Sequence, residues 1–288
     1  MFSPIVFCVG LQRSGTTALS RFLEEHPQIQ QPPNRGDKRE CNQPCWGPLN
    51  AVVQRKGVHI VEPDDLSLVQ MVSLKLRIYR ELRPGRTFFI KTPKNCVRIR
   101  MLKHIFPSSR IVFIKRDPRS ILRSWWASKG YHHLTSGYYQ HPYYRKQSDG
   151  LYYWQPPPLQ DADVSGWSYP RIQKRLRSIT GDTRWWDTAE AFEYRMYQLD
   201  GALAYHLDHR AEIPVDDYLE LSYDDLCERP EGELEKLYEF MGVTKLNIEH
   251  AETFFSSQDY KFTLIDERYQ QQAEDFLKPA GERMGYSW

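Results

Sequence analysis

Short unbroken apolar runs alternate along this chain with stretches whose apolar residues recur every three or four positions. That alternation predicts buried parallel strands joined by helices. Residues 5–9 (Ile-Val-Phe-Cys-Val) are the first run, ended by Gly10; Ala18, Leu19, Phe22 and Leu23 then share a helical face until His26-Pro27 stops it. Residues 26–57 are rich in Pro, Gln, Asn and Arg with no sustained period, which predicts a long loop. From Pro63 to Arg83-Pro84-Gly85, Leu66, Val69, Val72, Leu76 and Tyr79 recur at helical spacing and predict a helix packed on the core. A strand over 87–90 follows, then a helix with Val97, Met101, Leu102 and Ile105 inward and Arg98, Arg100 and Lys103 outward, then a strand over 111–114. Asp117 reads as the cap of the next helix and Pro118 as its first residue.

The period is lost over 129–166, where tyrosine, histidine and tryptophan crowd together, and it returns in helical form over 167–179 and 188–209. In the second of these, Ala189, Phe192, Met196, Leu199, Leu203 and Leu207 form one stripe. A strand over 218–221 and a helix over 230–241, through Leu234, Leu237 and Phe240, come next; past Asn247 the pattern weakens to a helix ending near Phe255 and a tail. The expected fold class is therefore α/β, a central mostly parallel β-sheet flanked by helices. It is read as a single domain over 1–288 with an aromatic-rich insertion at about 130–166.

Composition narrows the options. With 288 residues, 40% hydrophobic and 14% aromatic, the chain can bury a large core, and a formal net charge of +2 gives no whole-protein pull toward nucleic acid or membrane. Any basic site must be local. No stretch has the apolar length of a membrane helix and the first residues lack a signal-peptide pattern, so a cytoplasmic protein is expected. Five cysteines, Cys8, Cys41, Cys45, Cys96 and Cys227, make no disulfide framework; Cys41-x3-Cys45 lacks a second Cys/His pair at ligand spacing, so no metal is expected. The aromatic stretch reads either as a surface loop packed on its own rings or as a lid offering flat faces to an acceptor.

The chemistry gathers at three places. Gly10-x4-Gly15 between a strand and a helix is the spacing of a phosphate loop, but Thr16 stands where the lysine of nucleoside triphosphatases should be, and Arg13 supplies a cation from another angle. Such a loop suits a shorter anion than a triphosphate. Lys91 ends the second strand, at the edge where open α/β sheets bind ligands. At the third junction, Arg116, Arg119, Ser120, Arg123 and Ser124 surround one helix start, which reads as a second phosphate cradle or as ordinary capping with solvated arginines.

These motifs together resemble the P-loop superfamily sulfotransferases that use 3′-phosphoadenosine 5′-phosphosulfate (PAPS). The matching residues are Gln12-Arg13-Ser14-Gly15-Thr16-Thr17, His26-Pro27, Lys91-Thr92-Pro93, the pair Arg116 and Ser124 eight residues apart, and Ser222-Tyr223-Asp224-Asp225-Leu226. The resemblance implies the P-loop-like sulfotransferase fold and transfer of a sulfonate by in-line displacement to a hydroxyl or amine. It assigns Gln12, Arg13, Ser14, Gly15, Thr16 and Thr17 to the 5′-phosphosulfate, Arg116 and Ser124 to the 3′-phosphate, and Tyr223 to the neighbourhood of the adenosine, where a merely packed tyrosine is the other reading. It makes Arg13 and Lys91 catalytic. Among its branches, those modifying carbohydrate or tyrosine take the general base from a glutamate in the loop after the first helix, best matched by Glu40, with Asp37, His104 and the histidines of the aromatic stretch as alternatives. The implied acceptor is a small molecule or glycan, with a peptidyl acceptor as a further option, and no nucleic acid. Two other readings of the residues stay open: a P-loop kinase with a degenerate loop, and a non-catalytic nucleotide- or polyanion-binding module.

Overall fold

The computed structural model describes residues 4–33, 44–56, 60–128, 144–146, 152–154, 189–246, 248–255 and 267–288. They fall into two compact units, one of residues 1–52, 61–116 and 206–258, the other of 53–60, 117–205 and 259–288. The first holds a five-stranded sheet, β1 (Ile5–Gly10), β2 (Ile29–Gln30), β3 (Thr87–Lys91), β4 (Arg110–Lys115) and β7 (Tyr218–Ser222), in the order β2-β3-β1-β4-β7 with every pairing parallel. All six residues of β1 are buried, as a central strand covered on both faces requires. The α/β expectation therefore holds.

Register places the chemistry. Cys8 of β1 pairs with Lys91 of β3, Gly10 with Ile114 of β4, and Lys115 with Ser222 of β7, so the four strands deliver Gly10, Lys91, Arg116 and Tyr223 to one edge of the sheet. Helices α1 (Thr16–Phe22), α3 (Leu68–Tyr79) and α4 (Ile99–Ile105) lie in this unit, with α7 (Tyr223–Glu228), α8 (Pro230–Met241), α9 (Ala251–Phe254) and the first part, through Val52, of α2 (Gly47–Lys56). One core cluster joins Val6, Cys8, Leu19, Phe89, Val112, Ile114, Leu226, Leu234 and Leu237. In the second unit α5 (Pro118–Ser128) and α10 (Glu267–Arg283) pack together, and β5 (Tyr144–Lys146) pairs antiparallel with β6 (Tyr152–Trp154) inside the aromatic-rich stretch. α6 (Ala189–His209) carries buried Leu199, Leu203 and Leu207, as its stripe predicts. The rest of that stretch and the helix expected over 167–179 lie outside the described residues.

Several expectations need correction. The loop read over 26–57 contains β2 and α2, anchored by buried Trp46, Leu49 and Val52; Gly47-Pro48 at the helix start and a weakly amphipathic sequence hid it. Pro63–Asp65 forms a separate 3₁₀ turn, and α3 starts only at Leu68, where Ser67 caps it: the Ser67 hydroxyl accepts from the Gln70 amide at 3.3 Å and the Gln70 side chain accepts from the Ser67 amide at 2.9 Å. The core face of α3 is Leu74 and Ile78, while Val69, Val72, Leu76 and Tyr79 are exposed. Two apolar stripes compete on this helix, and sequence periodicity reported the longer one. Arg98, expected outward, is buried and donates to the Asn95 side chain at 3.2 Å. On α8 the buried face includes Tyr238 and Met241, with Phe240 only half-buried. α10 lies where only a tail was expected, because it is strongly polar and carries Pro279 in its interior.

Candidate functional site

The loop between β1 and α1 is held by close approaches that only glycine allows. A Cβ on Gly10 would stand 2.9 Å from the Ile114 carbonyl oxygen and 2.7 Å from Ser14 Oγ. Gly15, with φ of 95°, caps α1 under the ring of Tyr223, where a Cβ would come within 1.9 Å of Cδ2. Arg13 also sits in the left-handed region, at φ 75°, the one non-glycine residue to do so among the described residues. Its side chain is exposed, and Ser14 Oγ is buried with no protein hydrogen-bond partner. A buried hydroxyl without a partner and a left-handed arginine are features of a loop shaped around something it binds.

Three side chains from other strands converge on this loop. Lys91, at the end of β3, donates from Nζ to Thr17 Oγ1 at 3.1 Å, so the cation missing after Gly15 arrives from the neighbouring strand. Burial, offset by the nearby Cys8 thiol and reinforced by Arg21, lowers the Lys91 pKa to about 8. Arg116, just past β4 and buried, donates from Nη1 to the Arg13 carbonyl at 2.8 Å, and its guanidinium lies 4.9 Å from the centre of the Tyr223 ring. Tyr223 thus lies against both Gly15 and Arg116. Its position is set from behind: Ser222 caps α7 by accepting from the Asp225 amide at 3.1 Å, and buried Glu233 accepts from the Ser222 amide at 3.0 Å. Neither periodicity nor spacing singled out Glu233.

The predicted residues Gln12, Arg13, Ser14, Gly15, Thr16, Thr17, Lys91, Arg116 and Tyr223 are therefore brought together in the first unit. Ser124 is buried on α5 in the second unit. Within that unit Asp117 caps α5 as expected, accepting from the Arg119 amide at 2.8 Å; the Arg119 guanidinium is bound by both Asp117 oxygens and lies 4.1 Å from the Trp288 ring centre. Arg119 is thus engaged locally. Trp46 was missed in the sequence, where nothing marks it: its indole donates to Thr92 Oγ1 at 3.2 Å, next to Lys91.

Glu40 and Asp37 lie outside the described residues. His104 is exposed in the last turn of α4, and its neighbour Lys103 binds the Pro107 and Ser109 carbonyls and Asp217, which precede β4 and β7. It lies toward the sheet edge opposite Lys91 and plays no part in this site. His26 is structural: the Gln28 amide donates to Nδ1, so Nε2 carries the proton and donates to the Thr244 carbonyl at 2.9 Å. Among the described residues no group of three or more His, Cys, Asp or Glu is placed to hold a metal ion, and no helix is long and apolar enough to cross a membrane.

The family model described as "Sulfotransferase family" matches residues 4–156 and 170–247. No curated protein matches the sequence. Among solved structures, the chain is similar to a sulfotransferase from Alicyclobacillus acidocaldarius, with a TM-score of 0.53 and 16% identity, covering 99% of this chain and 95% of that one. It is also similar to sulfotransferases from Mycobacterium avium (0.51, 14%) and Mycobacterium tuberculosis H37Rv (0.50, 16%), each over 97% of this chain and 77% of the other. At these identities the structures speak for the fold, and they agree with the parallel sheet and phosphate-type loop found here. With the family match running over most of its length and through every strand of its sheet, the chain belongs to the sulfotransferase family.

Proposed function

We propose that the protein uses PAPS as its sulfonate donor and transfers the group to a hydroxyl or amine of a small-molecule, glycan or peptidyl acceptor. The observation that carries this reading is the origin of the loop's cation: Thr16 replaces the lysine of a triphosphate loop, and Lys91 reaches Thr17 from β3 instead. A donor with a 5′-phosphosulfate and a separate 3′-phosphate asks for two anion cradles and no lysine in the loop. The loop at Gly10–Gly15 fits the first, with the partnerless Ser14 hydroxyl and the close approach at Gly10 leaving backbone and hydroxyl donors for an oxyanion. Arg116 is the cation for the second, and Ser124 joins it in this proposal on their eight-residue spacing.

PAPS supplies an activated sulfonate on a phosphate leaving group. Arg13 and Lys91 stabilise charge on the sulfonate and bridging oxygens, and the loop amides hold them in line. Glu40 takes the proton from the acceptor as the new S–O (hydroxyl) or S–N (amine) bond forms and the S–O bond to the 5′-phosphate breaks, releasing the bisphosphate nucleotide. Among the described residues Cys8, Cys45, Cys96 and Cys227 form no disulfide, which supports a reducing, cytoplasmic setting.

Calorimetry with 3′-phosphoadenosine 5′-phosphate against ATP with magnesium tests the donor. Binding of the bisphosphate alone is expected, with Arg116→Ala and Ser124→Ala losing on the order of 1.5–3 kcal/mol for it but not for adenosine 5′-phosphosulfate. Preference for ATP with magnesium would restore the kinase reading, and binding of neither would favour a polyanion module.

A further inference from the structure

Helix α3 carries its larger apolar face toward solvent. Leu68 is 72% exposed, Val69 77%, Val72 47%, Leu76 50% and Tyr79 42%, whereas Leu74 and Ile78 on the opposite side are fully buried. At the helical turn angle the five exposed residues fall within an arc of about 100°, the width of a face meant to be covered. An open groove of about 720 Å³ runs along this arc, lined by Leu68, Val69, Val72, Leu76, Arg77 and Arg80 among others.

The charge around the arc says what covers it. From Leu68 to Arg86 the chain has five cations, Lys75, Arg77, Arg80, Arg83 and Arg86, against the single acid Glu81, while the whole protein carries only +2. Lys75 borders the arc on one side and Arg80 and Arg77 on the other; Arg83 and Arg86 are exposed on the turn that follows. Lys75 also holds its ammonium 5.9 Å from the centre of the Tyr79 ring, pairing a cation with an amphipathic aromatic at the helix end. A second copy of the chain would set these cations against each other, which disfavours self-association. An apolar strip framed by long cations is what an anionic lipid surface accepts, with aliphatic side chains in the acyl region and lysine and arginine at the headgroups.

We propose that α3 and the turn through Arg86 dock the protein reversibly on an anionic membrane surface. This goes beyond sulfonate transfer and does not depend on it. The binding is weak and salt-sensitive, since one short helix and five cations make up the whole contact.

The test is co-sedimentation of the full chain with vesicles of phosphatidylcholine alone or with about a third phosphatidylglycerol, at low and high salt. Binding to the anionic vesicles only, weakened by salt, is expected. Val72→Asp and the double variant Lys75→Glu/Arg80→Glu should each weaken it by about tenfold or more with unchanged thermal melting, because these side chains are outside the core. If Val72→Asp unfolds the protein, the charge-reversal variant still decides the matter. Equal binding to neutral vesicles, no binding, or variants that bind like the parent would overturn the proposal. So would a dimer in light scattering that Val72→Asp dissolves, or tighter capture by an acidic amphipathic peptide than by vesicles, since either would put a protein on this face.

Discussion

Gly15 shows how much of the site rests on single atoms. Its left-handed backbone and the ring of Tyr223 leave no room for a methyl group, so Gly15→Ala must displace either the loop or the tyrosine. Affinity for the bisphosphate nucleotide is expected to fall at least about tenfold, and Gly15→Ala/Tyr223→Ala should recover only part of it, because the backbone strain of about 1–2 kcal/mol stays. Recovery to the parent's affinity by calorimetry would show that the clash alone mattered. Lys91 gives a second prediction at this scale. Its pKa of about 8 means the free enzyme loses the cation as pH rises through 8, so kcat/KM should fall by about tenfold per pH unit above that point. The fall in kcat should come at higher pH, since a bound anion favours the charged lysine. Lys91→Arg, which stays charged, should remove the fall at 8; an unchanged profile would assign it to another group.

Among the elements, α3 and α6 make opposite points. On α3, Leu74→Ala opens a cavity in the core and should cost about 2–5 kcal/mol in denaturant unfolding, whereas Leu76→Ala, two residues on, should stay within about 0.5 kcal/mol. Comparable losses would mean that Leu76 is covered. On α6, His206 is buried against Phe113, with ring centroids 3.8 Å apart; Nδ1 donates to the Cys96 carbonyl at 3.2 Å and Nε2 accepts from the Tyr218 hydroxyl at 2.7 Å. Burial, with nearby Arg210 adding to it, pushes its pKa down to about 3, although the bond to Cys96 opposes the shift. The unfolded chain therefore binds a proton that the folded one refuses. Stability from this group is present above pH 6.5 and is lost as pH falls from 6.5 toward 3. His206→Phe should flatten the decline of the urea midpoint between about pH 6 and 4, even though it lowers the midpoint at neutral pH.

For the whole molecule, we propose that the two compact units form a single cooperative domain. The chain passes directly from Arg116 of one to Asp117 of the other without a linker, and α6 contributes residues to both. Calorimetric and van't Hoff enthalpies should agree; two resolved transitions would mean that the units unfold separately. If, as proposed, Arg13, Lys91 and Arg116 supply the charge for the reaction, sulfonate transfer should also persist unchanged in EDTA. A loss that magnesium restores would point back to a kinase-like site.

Residues 5–25 were legible from the chain alone because everything they do is local: an apolar run, a glycine turn and a helix whose first residues carry the donors. The same holds for Lys91 at a strand end and for Asp117-Pro118 at a helix start, since strand ends and caps are written in adjacent residues. What only the tertiary structure decided involves surfaces distant in sequence. Periodicity showed that α3 has apolar faces but not which one would be buried, and Leu74 and Ile78, not Leu76, met the core. That Arg116 braces the Arg13 carbonyl, that Tyr223 roofs Gly15, and that Glu233 holds Ser222 depend on the parallel register of β1, β4 and β7. Strand register is fixed by the cooperative burial of many side chains at once, and no window of the sequence contains that sum.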